Sequence, residues 1–253
     1  MSNAVLVMPF VSTASGLPVV PEEDLVPFAD YEVNAREHWI FGGGEQSLVG
    51  VVNGSPLTPQ GSAHTFTATS VQVPGFGGAL VSPFPDDVIS RTFAAVVKRP
   101  VQGTDTSKMG VYWGNRAGSA GGLMFYAYVL SSGGAVSTSA STVSGTRNAG
   151  TVRYNDAGVS DGEWAFILFS ETESDFVSQI NGVQESGDLD RPRTLSVNNW
   201  ALGNAYYNTT NYRELPLEFA EWIAFDNAMT APEAMAAYQR AKARCARRGI
   251  TIA

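Results

Sequence analysis

A single cysteine, Cys245, stands in 253 residues, so no internal disulfide can form. Histidine is almost as scarce. His38 and His64 are far apart, and with one cysteine they give no zinc set of recognisable spacing. No apolar run approaches the roughly 18 residues that a membrane span needs, so no membrane insertion is expected. The opening Met1–Phe10 lacks a basic leader and is interrupted by Pro9. That predicts no signal peptide and folding in a reducing cytoplasm. Charged residues are sparse, at 16%, and the formal net charge is −8. A phosphate backbone is repelled by that sign, which removes nucleic acid from the expected partners. Nucleotide motifs are missing as well: Gly42-Gly43-Gly44 precedes a strand rather than a helix, and there is no G-x-S-x-G elbow.

What remains is a chain of strands and turns. Apolar residues make up 44%, enough for a real core. Trp39–Phe41, Ser47–Val52, Thr65–Val73, Thr92–Arg99, Val111–Trp113, Gly122–Tyr128, Val152–Tyr154, Glu163–Glu171, Asp175–Ile180 and Thr194–Ala201 read as strands by alternation and β-branched content. Asn53-Gly54 and Asn181-Gly182 are hairpin signals. Ser131–Ser144 reads as a long hairpin or a mobile loop. One helix is expected, about 231–248, after the alternating strand Leu217–Asp226. Thr230 and Glu233 have the spacing of a capping box, and Gly249 supplies the stop. Arg240, Lys242, Arg244, Arg247 and Arg248 near its end complement the helix dipole. Cys245 shares a helical face with Met235 and Tyr238, which predicts a buried thiol. Residues 1–30, broken by four prolines, form an extended arm or edge strand. Residues 31–253 form one all-β, two-sheet antiparallel jelly-roll sandwich with the C-terminal helix laid against it.

Four segments in order resemble a concanavalin A-like lectin/glucanase sandwich of the laminin G-like type. They are Thr92-Phe93-Ala94-Ala95-Val96-Val97-Lys98, Asp161-Gly162-Glu163-Trp164-Ala165-Phe166-Ile167, Phe176–Gly182, and Leu217–Asp226 with the capped helix. The resemblance covers roughly residues 38–250. It implies the jelly-roll fold. Free-standing domains of this kind resemble those of bacteriophage virions and tails, which implies a virion protein assembled in the host cytoplasm. Its expected partners are other virion proteins, a host-surface glycan and further copies of itself. A capsid-decorating module without a ligand is the alternative, and a glycan hydrolase a more distant one.

Glycan hydrolysis needs two carboxylates on one face. Glu218 and Glu221 are three apart, so a regular strand turns them to opposite faces. Glu171 and Glu173 are two apart but read as a solvated strand end, and Asp86-Asp87 and Asp188–Asp190 read as loops. No catalytic residue is therefore assigned. Many lectin-like relatives bind calcium, but the loop acids Asp105, Asp156, Asp161 and Asp188 form no calcium loop, so neither cofactor nor metal is expected. Sugar recognition needs aromatic faces flanked by amides and hydroxyls. Asn204–Tyr212 has that chemistry, with Tyr206, Tyr207, Asn208, Asn211 and Tyr212 as candidate contacts. Trp113, Asn115 and Arg116, beside a Gly-rich turn, form a second candidate group. The competing readings are a loop packed on the rim and an indole in the core. Trp39, Trp164, Trp200 and Trp222 read as core.

A virion role predicts a thermally stable, discrete homo-oligomer. Light scattering on the purified chain checks this, and a clean monomer counts against it.

Overall fold

The computed structural model describes residues 30–75, 77–101, 107–117, 121–130, 133–207 and 213–253. The arm expected over residues 1–30 lies outside them except for Asp30. The strands in chain order are β1 (Glu37–Ile40), β2 (Thr58–Gln60), β3 (Thr65–Phe66), β4 (Val71–Val73), β5 (Ala79–Val81), β6 (Arg91–Lys98), β7 (Lys108–Gly114) and β8 (Leu123–Leu130). They continue as β9 (Gly133–Thr142), β10 (Gly145–Arg153), β11 (Trp164–Glu171), β12 (Asp175–Ile180), β13 (Val183–Asp188), β14 (Ala201–Gly203), β15 (Arg213–Glu214) and β16 (Leu217–Phe225). Helix α1 (Ala231–Arg247) follows, and beyond it Ile252 forms a parallel bridge with Trp164.

These strands make the expected two-sheet sandwich. The first sheet runs β13-β12-β11-β6-β16-β4-β3, with β1 also on β16, and the second runs β10-β9-β8-β7-β14-β5-β2, with β15 on β7. The middle strands of the first sheet are apolar on both faces, as the runs Phe93–Val97 and Ala165–Phe169 dictate. Inward, Phe93, Trp39, Trp222, Trp113, Trp200, Phe125 and Phe219 fill the space between the sheets. The Trp39 and Trp222 rings stack at 4.7 Å, and Phe93 lies 4.4 Å from Trp200. Outward, Ala94, Val96, Phe166, Leu168 and Ile223 meet Ala234, Ala237, Ala241 and Cys245 of α1. The small side chains let the helix lie close on the sheet.

Helix α1 starts as its sequence dictates. The Thr230 N–H donates to Glu233 Oε2 at 2.8 Å, completing the capping box. The 181–182 hairpin is also as read: Asn181 and Gly182 have φ of 46° and 87°, the positive pair that a two-residue hairpin turn requires. Within Ser131–Ser144, Gly133–Thr142 is β9, the first arm of a hairpin with β10, and Ser131 and Ser132 lie outside the described residues. Three strand expectations are corrected. Ser47–Val52 is no strand: Glu45–Leu48 is a 3-10 helix, in which Ser47 Oγ and N–H both bond back to the Gly44 carbonyl, and it leads through one bridge at Val49 into a turn. Thr65–Val73 is a tight hairpin of two short strands, turned by the Thr67 N–H bond to the Ser70 carbonyl. Most of Thr194–Ala201 is a loop, and only Ala201–Gly203 pairs.

The helix is also tied down electrostatically. A β-bulge between Phe219 and Glu221 resets the alternation of β16 and turns Glu221 toward α1. Glu218 and Glu221 therefore share the helix-side face, contrary to the reading from a regular strand. The fully buried Glu221 accepts from Arg244 at 2.7 Å and from Arg248 at 3.1 Å. Glu32 accepts from Arg240 and Arg244, each at 2.9 Å. So the basic end of α1 serves mainly as a set of ion-pair partners. His38 lies in the same cluster. Its Nδ1 accepts the Glu32 N–H at 3.1 Å, which puts the ring proton on Nε2, 3.3 Å from Glu221 Oε2 but not aligned as a hydrogen bond. Burial would raise the Glu221 pKa, but the His38 ring and the Arg244 charge outweigh it and hold the carboxyl far below the usual range.

Burial pushes the His38 pKa below its ordinary 6.5, against the pull of Glu221. The folded state then keeps His38 neutral while the unfolded state protonates it. Its contribution is present above pH 6.5 and is lost as pH falls from there toward the lowered folded value. Urea unfolding should show stability dropping through this window, by at most about 1.4 kcal/mol per pH unit for the one proton. His38→Asn should flatten that slope, and an equal slope in the variant would refute the assignment.

Candidate functional site

Among the described residues α1 covers the first sheet and no element covers the outward face of the second. Its side chains follow from the alternation of β8, β9 and β10. On β8, Met124, Tyr126 and Tyr128 point outward while Phe125 and Ala127 point into the core. The register carries this across the sheet. Met124 stands opposite Ser139, and Ser139 opposite Asn148. In the next row Val111, Tyr126 and Ser137 are aligned, and Thr151 Oγ1 donates to Ser137 Oγ at 3.2 Å. The row beyond holds Met109, Tyr128, Ala135 and Arg153. The face thus grades from an apolar strip (Met109, Val111, Met124), through half-buried tyrosine rings, to hydroxyl and amide groups.

Arg116 closes one corner. The chain leaves β7 at Gly114, and Asn115 fixes the course of the turn beyond it. The Asn115 Oδ1 accepts the Leu123 N–H at 2.9 Å, and its carbonyl accepts from Ser196 Oγ at 2.7 Å and Asn198 Nδ2 at 3.1 Å. Gly122 has φ of +91°, and a side chain there would come within 2.5 Å of Asn115 Oδ1, so a bare backbone is required. The Arg116 side chain then lies back over the sheet. It donates to Ser139 Oγ, and to Thr146 Oγ1 at 3.1 Å. Its guanidinium carbon is 5.5 Å from the Tyr207 ring centre, within cation–π range. Burial lowers the Arg116 pKa, and the nearby Tyr207 and Tyr126 hydroxyls oppose that shift.

Tyr206 and Tyr207 arrive from the loop after β14, which Asn204 holds in shape. Its Nδ2 donates to the Tyr207 carbonyl at 2.7 Å and its Oδ1 accepts the Tyr207 N–H at 2.9 Å. From β2, Gln60 Nε2 donates to the Ala205 carbonyl at 2.8 Å. Burial pushes the Tyr206 phenol up. Together with Val111, Met124 and Arg116, the loop lines a crevice of only about 10 Å³. Pockets that engulf a small molecule run to roughly 300–1,000 Å³. Contact here is across a surface.

The structure therefore joins Tyr206, Tyr207 and Arg116, taken from the two candidate segments, into one place. Asn208, Asn211 and Tyr212 lie outside the described residues. Trp113 is corrected: a bulge between Val111 and Trp113 puts both Tyr112 and Trp113 into the inter-sheet core, so the indole is fully buried. Asn115 is buried as well and acts as scaffold. Sequence reasoning missed Tyr126, Tyr128, Ser137, Ser139, Thr146, Asn148 and Thr151. The alternation in Met124–Tyr128 and Ser137–Ser141 was the available signal.

The carboxylates weighed for chemistry are committed elsewhere. Glu171 is buried between Arg147, at 2.7 Å, and Arg193, which correct its reading as a solvated end. Asp86, also buried, holds Arg193 and accepts the Ser196 N–H at 2.7 Å. Glu218 meets Lys98 at 2.7 Å. Among the described residues no three His, Cys, Asp or Glu side chains converge as a metal site, and no helix is long and apolar enough to cross a membrane.

No protein-family model matches the chain, and comparison with curated sequences finds no match. Solved structures do resemble it. The receptor-binding domain of botulinum neurotoxin D superposes with a TM-score of 0.61 at 9% identity, over 81% of this chain and 52% of that one. The botulinum neurotoxin type G receptor-binding domain gives 0.61 at 14% identity, over 83% and 52%. The serotype D ligand-binding domain in complex with N-acetylneuraminic acid gives 0.60 at 10% identity, over 83% and 51%. The chain spans about half the length of these structures, and at such identities the likeness is one of fold.

Asn204→Ala should free the Tyr207 loop at a cost of about 1–3 kcal/mol in urea unfolding, with faster hydrogen exchange at the Tyr207 amide. Unchanged exchange at that amide would mean that other groups hold the loop.

Proposed function

We propose that the chain is a non-catalytic carbohydrate-binding module whose site is the outward face of β7 to β10 with the Tyr206–Tyr207 loop. The observation that carries this reading is the juxtaposition of tyrosine rings with rows of hydroxyls on one rigid sheet. A pyranose has an apolar ring face and a hydroxyl edge. Tyr126, Tyr128 and Tyr207 match the first, and the exposed Thr146, Asn148 and Thr151 match the second. A non-catalytic role is in keeping with the acids: Glu171, Glu218 and Glu221 each sit on a cation. The receptor-binding descriptions of the fold neighbours agree with a recognition role. We place this recognition in a bacteriophage virion, at the tail tip or fibre, where the sequence resemblance puts such domains. There it binds a host-surface glycan as a homo-oligomer beside other virion proteins.

A glycan array probed with the purified chain should give discrete binders. Against the best of them, Tyr207→Ala and Tyr126→Ala should each weaken binding at least about tenfold, or 1.4 kcal/mol, with little change in melting temperature. Binding that survives both substitutions would sink the site, and release of sugar from the bound glycan would sink the non-catalytic reading.

A further inference from the structure

Between Asp105 and Asp156 the chain has no aspartate or glutamate, although it carries 24 in all. The same stretch contains Lys108, Arg116, Arg147 and Arg153, and it builds β7, β8, β9 and β10. A protein of net charge −8 thus keeps one sheet segment free of acid. Arg147 turns inward to Glu171. Arg153 stands exposed on the outward face, and Arg116 lies mostly buried at its corner, 9% exposed. Arg116 lies in the row of Ser141 and Thr146, Arg153 in the row of Tyr128 and Ala135. Two carboxylates reach the margins from outside. Glu185 of β13 accepts the Thr151 N–H, and Glu214 of β15, alongside Met109, accepts the Gly77 N–H at 3.4 Å.

This sorting bears on the ligand. Carboxylates are the strongest hydrogen-bond acceptors a protein can offer to sugar hydroxyls. A face for neutral sugars gains by including them, and a face for acidic sugars must leave them out, since like charges repel. Hydroxyls and amides do the hydrogen bonding here instead. Arg116 is also fixed in advance, by Ser139, Thr146 and the Tyr207 ring, so little side-chain freedom is lost when an anion meets it. A nucleic acid needs a cation for each phosphate neutralised, and among the described side chains of β7 to β10 two arginines turn outward.

We propose that this face selects glycans bearing a carboxylate or sulfate, with Arg116 meeting the anion at the Tyr207 end and Arg153 meeting a second at the Tyr128 end. The proposal rests on the carbohydrate-binding reading above and names the ligand class for that site.

The test is an array carrying sialylated, uronate-bearing and sulfated oligosaccharides, each beside its neutral parent, with oligo-dT as a non-carbohydrate polyanion. The intact chain should hold at least one acidic series about tenfold tighter than its neutral parents, with affinity falling as salt rises. The series retained tells carboxylate from sulfate. Arg116→Gln should abolish the preference and flatten the salt dependence, and Arg116→Lys should restore part of both. Arg153→Gln, at an exposed position where misfolding is not a concern, should lower the affinity of longer acidic oligosaccharides. Equal binding of acidic and neutral members overturns the charge selection while leaving the carbohydrate reading standing. Binding of no glycan overturns both, and tighter binding of oligo-dT than of every acidic glycan overturns the assignment of class.

Discussion

The fold depends most on one buried carboxylate, Glu221. It sits on the central strand β16 and gathers Arg244 and Arg248 from α1 and its C-terminal cap and His38 from β1. Through Arg244 it is linked to Glu32, ahead of the first strand. Three segments distant in sequence thus meet at one charge. Burying ions is expensive, and such a cluster is no proof of net stability relative to an apolar core. Its consequence is specificity. With Glu221 buried, α1 has one position on the sheet in which every charge is answered, and removing any partner leaves an uncompensated ion. The bulge at Phe219–Glu221 is what makes this possible. A regular strand would have pointed the carboxylate among the indoles of the inner core.

A second buried cluster, Asp86–Arg193–Glu171–Arg147, works at one end of the sandwich in the same manner. It pins the loop that carries Ser196 and Asn198, and these two hold the Asn115 carbonyl next to Arg116. The candidate face therefore inherits its rigidity from charges that never touch it. The two sheets divide the work. The first is covered on both sides and supplies cohesion, while the second keeps an outward surface.

Much of the fold was legible because its signals are local. The capping box at Thr230 and Glu233, the Asn181-Gly182 turn and the apolar runs Phe93–Val97 and Ala165–Phe169 each report their state within a few residues. What escaped was parity. One extra residue in a strand inverts every later side chain, and nothing in Tyr112-Trp113 or Ala220-Glu221 announces a bulge. The sequence alone thus leaves Trp113 open between core and surface, and regular alternation turns Glu221 away from Glu218. Pairing across long separations was equally hidden. Glu171 looks like a solvated strand end until Arg193 arrives from a distant loop. For the site, Tyr206, Tyr207 and Arg116 stood out by composition. Tyr126, Tyr128 and the outward serines lay in plain alternation, but their face is defined only by register with the neighbouring strands.

The aromatic residues are partitioned in a way that matters for spectroscopy. Trp39, Trp113, Trp200 and Trp222 lie between the sheets, and Trp164 is half-buried on the helix side under Lys98. The outward face carries tyrosines instead. Emission excited at the red edge, where indole alone absorbs, reports on the cohesion of the sandwich and is blind to what settles on the face. Phenol absorbance mixes this face with Tyr112 and Tyr154 of the inner core and Tyr238 under α1. The molecule thus comes with one clean optical channel, for its folding.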